Sequence, residues 1–283
     1  MKKMKIAHTI NEVKSCVREW KKAGLSIGLV PTMGYLHEGH ASLIERARKE
    51  NDKVIVSDFV NPIQFGPKED LATYPRDFDA DCKLCEGLGA DLIFNPEPAE
   101  MYSDTFHSYV GVNTLSEGLC GKSRPIHFNG VCTVVSKLFN ISEADRAYFG
   151  QKDAQQLAIV RRMVRDLNYN IEIIGCPIIR EEDGLAKSSR NTYLKADERE
   201  KATILHKALT KGEEMVRDGE KDAKAVISAV SDMISSEPLA KIDYVDIVDW
   251  NELQEVDKID GPILMAVAVY IGSVRLIDNF IVE

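Results

Sequence analysis

The stretch "SIGLVPTMGYLHEGH", Ser26 to His40, opens as an apolar run and ends in a turn that carries two histidines. Residues 26–31 read as a strand. Gly34 then allows a tight turn, and Gly39 allows close approach of the backbone where a helix is expected to begin at His40. A helix starting there aims free N–H groups and the positive end of its dipole at whatever sits above the sheet, and phosphate is the natural occupant. The imidazoles of His37 and His40 add N–H donors for phosphate oxygens and for charge that grows on them during a reaction. "HEGH" looks superficially like the zinc motif H-E-x-x-H, but that motif needs histidines four apart on a continuous helix. Here they are three apart with Gly39 between them, so no metal ligands are assigned.

Outward from this turn, short apolar runs alternate with amphipathic segments. Strands are expected at 26–31, 53–60, 91–94, 146–149 and 171–175, with helices at about 40–50, 77–88, 130–140 and 153–167. In "DAQQLAIVRRMVRDL", Leu157, Val160 and Val164 share one helical face. Strands separated by helices imply βαβ units, a parallel sheet and an α/β, Rossmann-like domain over 1–176. Ligands of such sheets bind at the carboxyl ends of the strands. The unusual polar stretches fall there: the 31–40 turn, "NPIQFG" (61–66) and "GQKDAQQ" (150–156). After "PIIREEDGLAKSSRNTYL" (177–194) the pattern changes to two helices, 197–217 and 222–236, and three strand-like runs, 242–250, 263–271 and 273–282. The last two are joined through Gly272 as a hairpin, so 177–283 reads as a smaller C-terminal α+β domain that closes over the site.

Composition narrows the function class. The 283 residues carry 36 Lys and Arg against 45 Asp and Glu, a net charge of −9, with no basic tail. Extended nucleic-acid binding needs a Lys/Arg surface, so small-molecule chemistry is expected and nucleic acid is not. No apolar run approaches the roughly 18 residues that span a bilayer, and the start "MKKMKIAHTINEVK" lacks a signal-peptide core, so a cytoplasmic protein without a membrane partner is expected. Cys16, Cys82, Cys85, Cys120, Cys132 and Cys176 are too sparse for a disulfide framework and read as free thiols, with Cys82 and Cys85 on a helix.

Five long motifs in order, "PTMGYLHEGH", "FVNPIQFGPKEDLATYPR" (59–76), "RPIHFNGVCTVVSKLFNI" (124–141), "YFGQKDAQQL" (148–157) and "KSSRNTYL" (187–194), resemble the pantothenate synthetase (pantoate–β-alanine ligase) family of the H-x-G-H nucleotidyltransferases. The resemblance runs nearly end to end. It implies that ATP, with Mg²⁺, activates the carboxylate of (R)-pantoate as an adenylate, releasing pyrophosphate. The amine of β-alanine then displaces AMP to give pantothenate, in the coenzyme A pathway.

The resemblance also implies a set of site residues. Met33, Gly34, Tyr35, Leu36, His37, Glu38, Gly39 and His40 would line the ATP site, with His40 the family's proton donor, and His37 and Lys152 the other catalytic groups. Gly150, Gln151, Lys152 and Asp153 would follow, Lys152 meeting phosphate and Asp153 capping a helix or accepting from ribose. Ile179, Lys187, Ser188, Ser189 and Arg190 would complete the ATP site as the superfamily's second, mobile signature; at 187 the family often has a small or apolar residue where this chain has lysine. Gln64 and Gln156 would hold pantoate, and Gln64 would also approach β-alanine. "DFDAD" (77–81) fits either help in holding the magnesium of ATP or ordinary helix N-terminal charge, and Asp81 is left out of the site. The family is usually a homodimer, and "VCTVVSKLF" (131–139) fits either an interface or a buried helix.

Overall fold

The computed structural model describes residues 3–67 and 69–283; Met1, Lys2 and Lys68, the last inside the 59–76 motif, lie outside the described residues. The chain divides into two compact units, one of 1–113, 124–151 and 159–177, the other of 114–123, 152–158 and 178–283.

In the first unit the strands are β1 (Lys5–Ala7), β2 (Ile27–Thr32), β3 (Lys53–Asp58), β4 (Leu92–Phe94), β5 (Arg146–Gly150) and β6 (Glu172–Cys176). Helices α1 (Ile10–Lys22), α2 (Glu38–Glu50), α3 (Phe78–Gly87) and α4 (Pro98–Met101) precede the short α5 (Cys120–Ser123), which clusters with the second unit. They are followed by α6 (His127–Ser142) and α7 (Ala154–Asp166). The six strands form one parallel sheet in the order β1-β4-β3-β2-β5-β6. The chain steps outward from β2 through β3 to β4, then returns to the other side of β2 for β5 and β6, so strand order reverses between β2 and β5. That reversal is the switch point at which open α/β sheets take ligands. β2 and β5 pair with each other only at Gly28–Arg146 and Leu29–Ala147, and beyond these residues their carboxyl ends pair with β3 and β6 instead. The sheet is held by close packing: Val30, Ile44, Val54, Val56, Ile93 and Tyr148 are fully buried.

The sequence reading places nothing before Ser26, whereas β1 and α1 occupy that segment. α1 starts at a capping box in which Thr9 accepts the Glu12 N–H and the Glu12 carboxylate accepts the Thr9 N–H. The T-x-x-E signal is present in "TINE". The apolar 131–139 run lies in α6, where Val131, Cys132, Thr133, Val135, Leu138 and Phe139 are buried within the single chain. Burial in the protomer therefore accounts for that run without a partner surface. All six cysteines are free, Cys82 and Cys85 both on α3.

The second unit holds α8 (Ala196–Lys201), α9 (Ile204–Arg217), α10 (Ala223–Ser235) and a three-stranded antiparallel sheet, β7 (Ala240–Asp249), β8 (Ile263–Ile271) and β9 (Val274–Val282). The helix expected over 197–217 is two helices. At the break Thr203 Oγ1 donates back to the Glu200 carbonyl (2.9 Å) and the Thr203 N–H takes the same i−3 acceptor, tightening the turn and redirecting the chain. β8 and β9 form the expected hairpin, with Gly272 at φ 58°. Leu205, Leu209, Val226, Val230, Met265 and Val267 build the core between the helix pair and this sheet.

Candidate active site

β2 delivers Thr32 to the carboxyl edge of the first sheet, and the chain turns through Gly34 (φ 79°) and Tyr35 (φ 51°). A Cβ at Gly34 would stand 2.3 Å from Asp58 Oδ1, so both the backbone conformation and the space require glycine. Asp81 of α3 clamps this turn, accepting the Tyr35 and Leu36 N–H groups at 2.7 Å each. Thr32 Oγ1 accepts from the Gly34 N–H (3.2 Å) and donates to the Ser57 carbonyl (2.7 Å).

α2 begins at Glu38, two residues before the expected start at His40, because His37 serves as its N-cap. His37 Nδ1 accepts the Gly39 N–H (3.1 Å), and the His37 N–H donates to His40 Nδ1 (3.3 Å). The two histidines thus form a reciprocal capping box, their ring centroids 4.1 Å apart. Since each Nδ1 accepts from backbone, each neutral imidazole carries its proton on Nε2. Two imidazole N–H donors therefore stand at the positive end of a 13-residue helix, beside the switch point.

Asp58 and Asp81 are both buried, and a carboxyl oxygen of each lies within 3.3 Å of where a Gly34 Cβ would stand. Burial, and then the neighbouring Asp81, push the Asp58 carboxyl up to about 7. Burial raises Asp81 as well, while the Leu36 and Tyr35 N–H donors oppose the rise by favouring its ionised form. Asp81 is accordingly the member of the pair that keeps the negative charge, and Asp58 the one that keeps the proton. Asp81 is a first-turn charge of α3, as the sequence suggests, and it also fixes the histidine-bearing turn through the Tyr35 and Leu36 N–H groups.

The 3-10 turn Pro62–Gln64 follows β3 and packs against α6. A Cβ at Gly130 of α6 would lie 2.5 Å from Gln64 Cα, so the glycine permits this approach. Gln64, buried, donates from Nε2 to Met33 Sδ (3.0 Å) and accepts at Oε1 from Asn61 Nδ2 (3.0 Å). His127 Nδ1 lies 3.0 Å from the Gln64 carbonyl, and Arg124 makes a two-pronged ion pair with Glu69.

In the second unit, Lys152 follows Gly150 and Gln151, which end β5 and start a 3-10 turn into α7. The Lys152 carbonyl accepts from Asn279 Nδ2 of β9 (2.9 Å), and its ammonium lies 3.7 Å from the exposed Asp153 carboxylate. Of the adjacent glutamines, Gln155 is buried and bonded to Leu115, Gly118 and Cys120 backbone, whereas Gln156 is half-buried. Ile179 and Lys187 face each other, the Lys187 N–H donating to the Ile179 carbonyl (2.9 Å). The Lys187 ammonium stands 4.0 Å from Glu181. Ser188 N-caps the turn Ser189–Tyr193 by accepting the Arg190 N–H (3.3 Å), and Ser189 is buried. Asn191 donates to Glu181 and to the Ala186 carbonyl, closing the loop.

The structure thus brings Met33–His40 together with Gln64 in the first unit, and Ile179 together with Lys187–Arg190 in the second. The sequence alone points to neither Asp58 nor Asn61 in one, nor to Arg180, Asp278 and Asn279 in the other, and it names Asp81 only as a helix-start charge. "NPIQ" contains the Asn61 signal, since an N-P pair marks a turn. The strand-borne Asp58 and Asp278 give none, because their partners are distant in sequence. No helix among the described residues is long and apolar enough to cross a membrane.

The family model described as pantoate-beta-alanine ligase matches residues 5–281. A curated relative, pantothenate synthetase of Clostridium botulinum (strain Loch Maree / Type A3), is 62% identical over 277 residues, 98% of this chain and 99% of its own length. The crystal structure of pantothenate synthetase from Thermus thermophilus superposes with a TM-score of 0.93 at 43% identity, covering 98% of this chain and 99% of that one. Pantoate-beta-alanine ligase from Francisella tularensis, complexed with beta-gamma ATP and beta-alanine, gives 0.79 at 37% identity over 98% and 97%.

Proposed function

This chain belongs to the pantoate-beta-alanine ligase family, and we infer that the histidine turn between β2 and α2 is where it activates a carboxylate on ATP. It is an AMP-forming carbon–nitrogen ligase that condenses (R)-pantoate with β-alanine to pantothenate. In the first step a pantoate carboxylate oxygen bonds the α-phosphorus of ATP, the bridging P–O bond breaks, and pyrophosphate leaves with its electrons. In the second, the β-alanine amine attacks the acyl carbon of pantoyl adenylate, the C–O bond to AMP breaks, and the amine loses a proton. Neither step needs a protein nucleophile; both need orientation and stabilisation of phosphate charge.

The observation that carries the site assignment is the reciprocal cap of His37 and His40, which places both Nε2–H donors at a helix N-terminus. His40 and His37 meet the phosphates there, with Met33, Gly34, Tyr35, Leu36, Glu38 and Gly39 shaping the turn around the nucleotide. Lys152 adds a cation to the phosphates, with Gly150, Gln151 and Asp153 around it. Ile179, Lys187, Ser188, Ser189 and Arg190 supply the remaining phosphate and nucleotide contacts. Gln64 and Gln156 hold pantoate, and Gln64 also approaches β-alanine.

Magnesium enters this reading with the nucleotide. Asp81 is already engaged by two backbone donors, and no group of three or more His, Cys, Asp or Glu among the described residues is placed to hold a metal. The chain is read as a cytoplasmic homodimer, which sedimentation would report as twice the 31.6 kDa chain.

Isotope exchange tests the reading. With β-alanine omitted, pantoate is expected to promote exchange of labelled pyrophosphate into ATP, and with all three substrates AMP, pyrophosphate and pantothenate appear in equal amounts. Exchange that required β-alanine, or label trapped on the protein, would overturn it.

A further inference from the structure

We propose that Tyr102 is a positioning residue for pantoate, fixing through Asn61 which end of the Gln64 amide faces the substrate. The proposal rests on the assignment of Gln64 to pantoate and deepens it.

The hydrogen bonds run in one direction. Burial pushes the Tyr102 phenol well above its ordinary range, so it carries its proton, and that proton is donated to Asn61 Oδ1 at 2.8 Å. Asn61 is only 1% exposed, and with its oxygen engaged its amide nitrogen must point the other way. There it meets two acceptors, the Gly130 carbonyl at 3.1 Å and Gln64 Oε1 at 3.0 Å. A backbone carbonyl can only accept, so the Gly130 contact agrees with the orientation that Tyr102 imposes at the oxygen end, and loss of the Tyr102 bond leaves one contact where two held the amide. Gln64 Oε1 is thereby engaged, and the Nε2 group is left to face the histidine turn, where it donates to Met33 Sδ at 3.0 Å.

A thioether is a weak acceptor, so this N–H exchanges readily to a better one. Pantoate offers carboxylate and hydroxyl oxygens. A flipped Gln64 would turn its own oxygen toward them and lose the Asn61 bond in a nearly dry site, since Gln64 is only 6% exposed. Tyr102 itself is held where the chain leaves α4, its N–H on the Pro98 carbonyl (2.8 Å) and its ring edge-on to Phe106 at 5.0 Å. Lys137 Nζ caps the ring at 5.7 Å.

The test is pyrophosphate exchange on the full chain with Tyr102→Phe, Gln64→Ala and the double variant, reading KM for pantoate and KM for ATP separately. Loss of one such bond is expected to raise KM for pantoate roughly three- to tenfold in Tyr102→Phe. KM for ATP should be unchanged, and the Phe substitution should have no further effect in the Gln64→Ala background. Asn61→Asp, which accepts from Tyr102 yet cannot donate to Gln64, is expected to mimic the loss and keeps the proposal testable if Tyr102→Phe folds poorly. If Gln64→Ala raises KM for pantoate while Tyr102→Phe and Asn61→Asp leave it alone, the proposal is overturned and the assignment of Gln64 stands. If Gln64→Ala itself leaves KM for pantoate unmoved, the underlying assignment fails. Equal rises for pantoate and ATP would also overturn the proposal, because a merely structural tyrosine would act on both.

Discussion

At the scale of single residues, the histidine pair caps α2 through Nδ1, and the proposed contact to phosphate is through Nε2, so the structural role and the proposed chemical role are separable by substitution. His37→Ala is expected to lose about 1 kcal/mol of stability along with activity, as for other lost N-caps. His37→Asn keeps an acceptor for the Gly39 N–H and should recover the stability without the exchange rate; urea unfolding and pyrophosphate exchange check the two halves. For His40→Ala in a folded protein, loss of one preorganised donor predicts a fall in exchange of about a hundred- to a thousandfold. Asp58 gives a pH signature. Its carboxyl is raised to about 7 in the folded chain, above its unfolded value, so its stabilising effect is complete below the unfolded value and fades as pH rises through 7. Asp58→Asn cannot titrate, so its stability relative to the natural chain should climb by about 1.4 kcal/mol per pH unit between roughly 4 and 7 and then level off. Unfolding free energies at several pH values in that span and above it measure the slope. Much of the site is readable at this scale: "HEGH" announces the donors, and Gly34 the turn. The clamp is not, because Asp58 and Asp81 are far apart in sequence and meet only when β3 and α3 assemble.

At the scale of elements, the signal is strongest where periodicity is long and weakest where an end is set by side-chain geometry. The βαβ alternation from β2 onward is legible, and so is the β8–β9 hairpin at Gly272. The start of α2 escapes the sequence reading because histidine is not among the usual caps, and only the mutual bond between His37 and His40 makes it one. The segment 197–217 reads as one continuous helix because a back-bonding threonine leaves the apolar period intact while turning the backbone. α6 offers a test of packing against propensity. Alanine for glycine inside a helix ordinarily stabilises by about 1 kcal/mol. At Gly130 the new methyl would meet Gln64 backbone at 2.5 Å, so Gly130→Ala is expected to destabilise by about 1–3 kcal/mol and to raise KM for pantoate as the 62–64 turn shifts. Gly87→Ala on α3, where a Cβ meets nothing within 4 Å, is the control that should be neutral or better in the same thermal and kinetic assays.

At the scale of the whole molecule, the C-terminal strand β9 reaches back to chemistry-bearing segments far earlier in the chain. Asp278, 3% exposed, receives both prongs of Arg180 at 2.6 and 3.0 Å, and Arg180 also donates to the Gly184 carbonyl in the loop that leads to Ser188–Arg190. Its neighbour Asn279 holds the Lys152 carbonyl. Asp278→Asn is expected to destabilise by about 3 kcal/mol, the low end for breaking a buried ion pair because Arg180 keeps some solvent. It should also raise KM for ATP more than KM for pantoate, which unfolding curves and exchange kinetics would report. The sequence by itself determined the fold class, the alternation of strands and helices from β2 onward, and the residue types of the histidine turn, because period and glycine placement act over a few neighbouring residues. The tertiary structure alone decided which carboxylates, amides and phenol support those residues: the Asp58–Asp81 clamp, the Tyr102–Asn61–Gln64 chain, and the Asp278–Asn279 anchor. Each of these joins groups tens of residues apart, and hydrogen bonds between buried groups are specified by where strands and helices come to rest rather than by any local pattern.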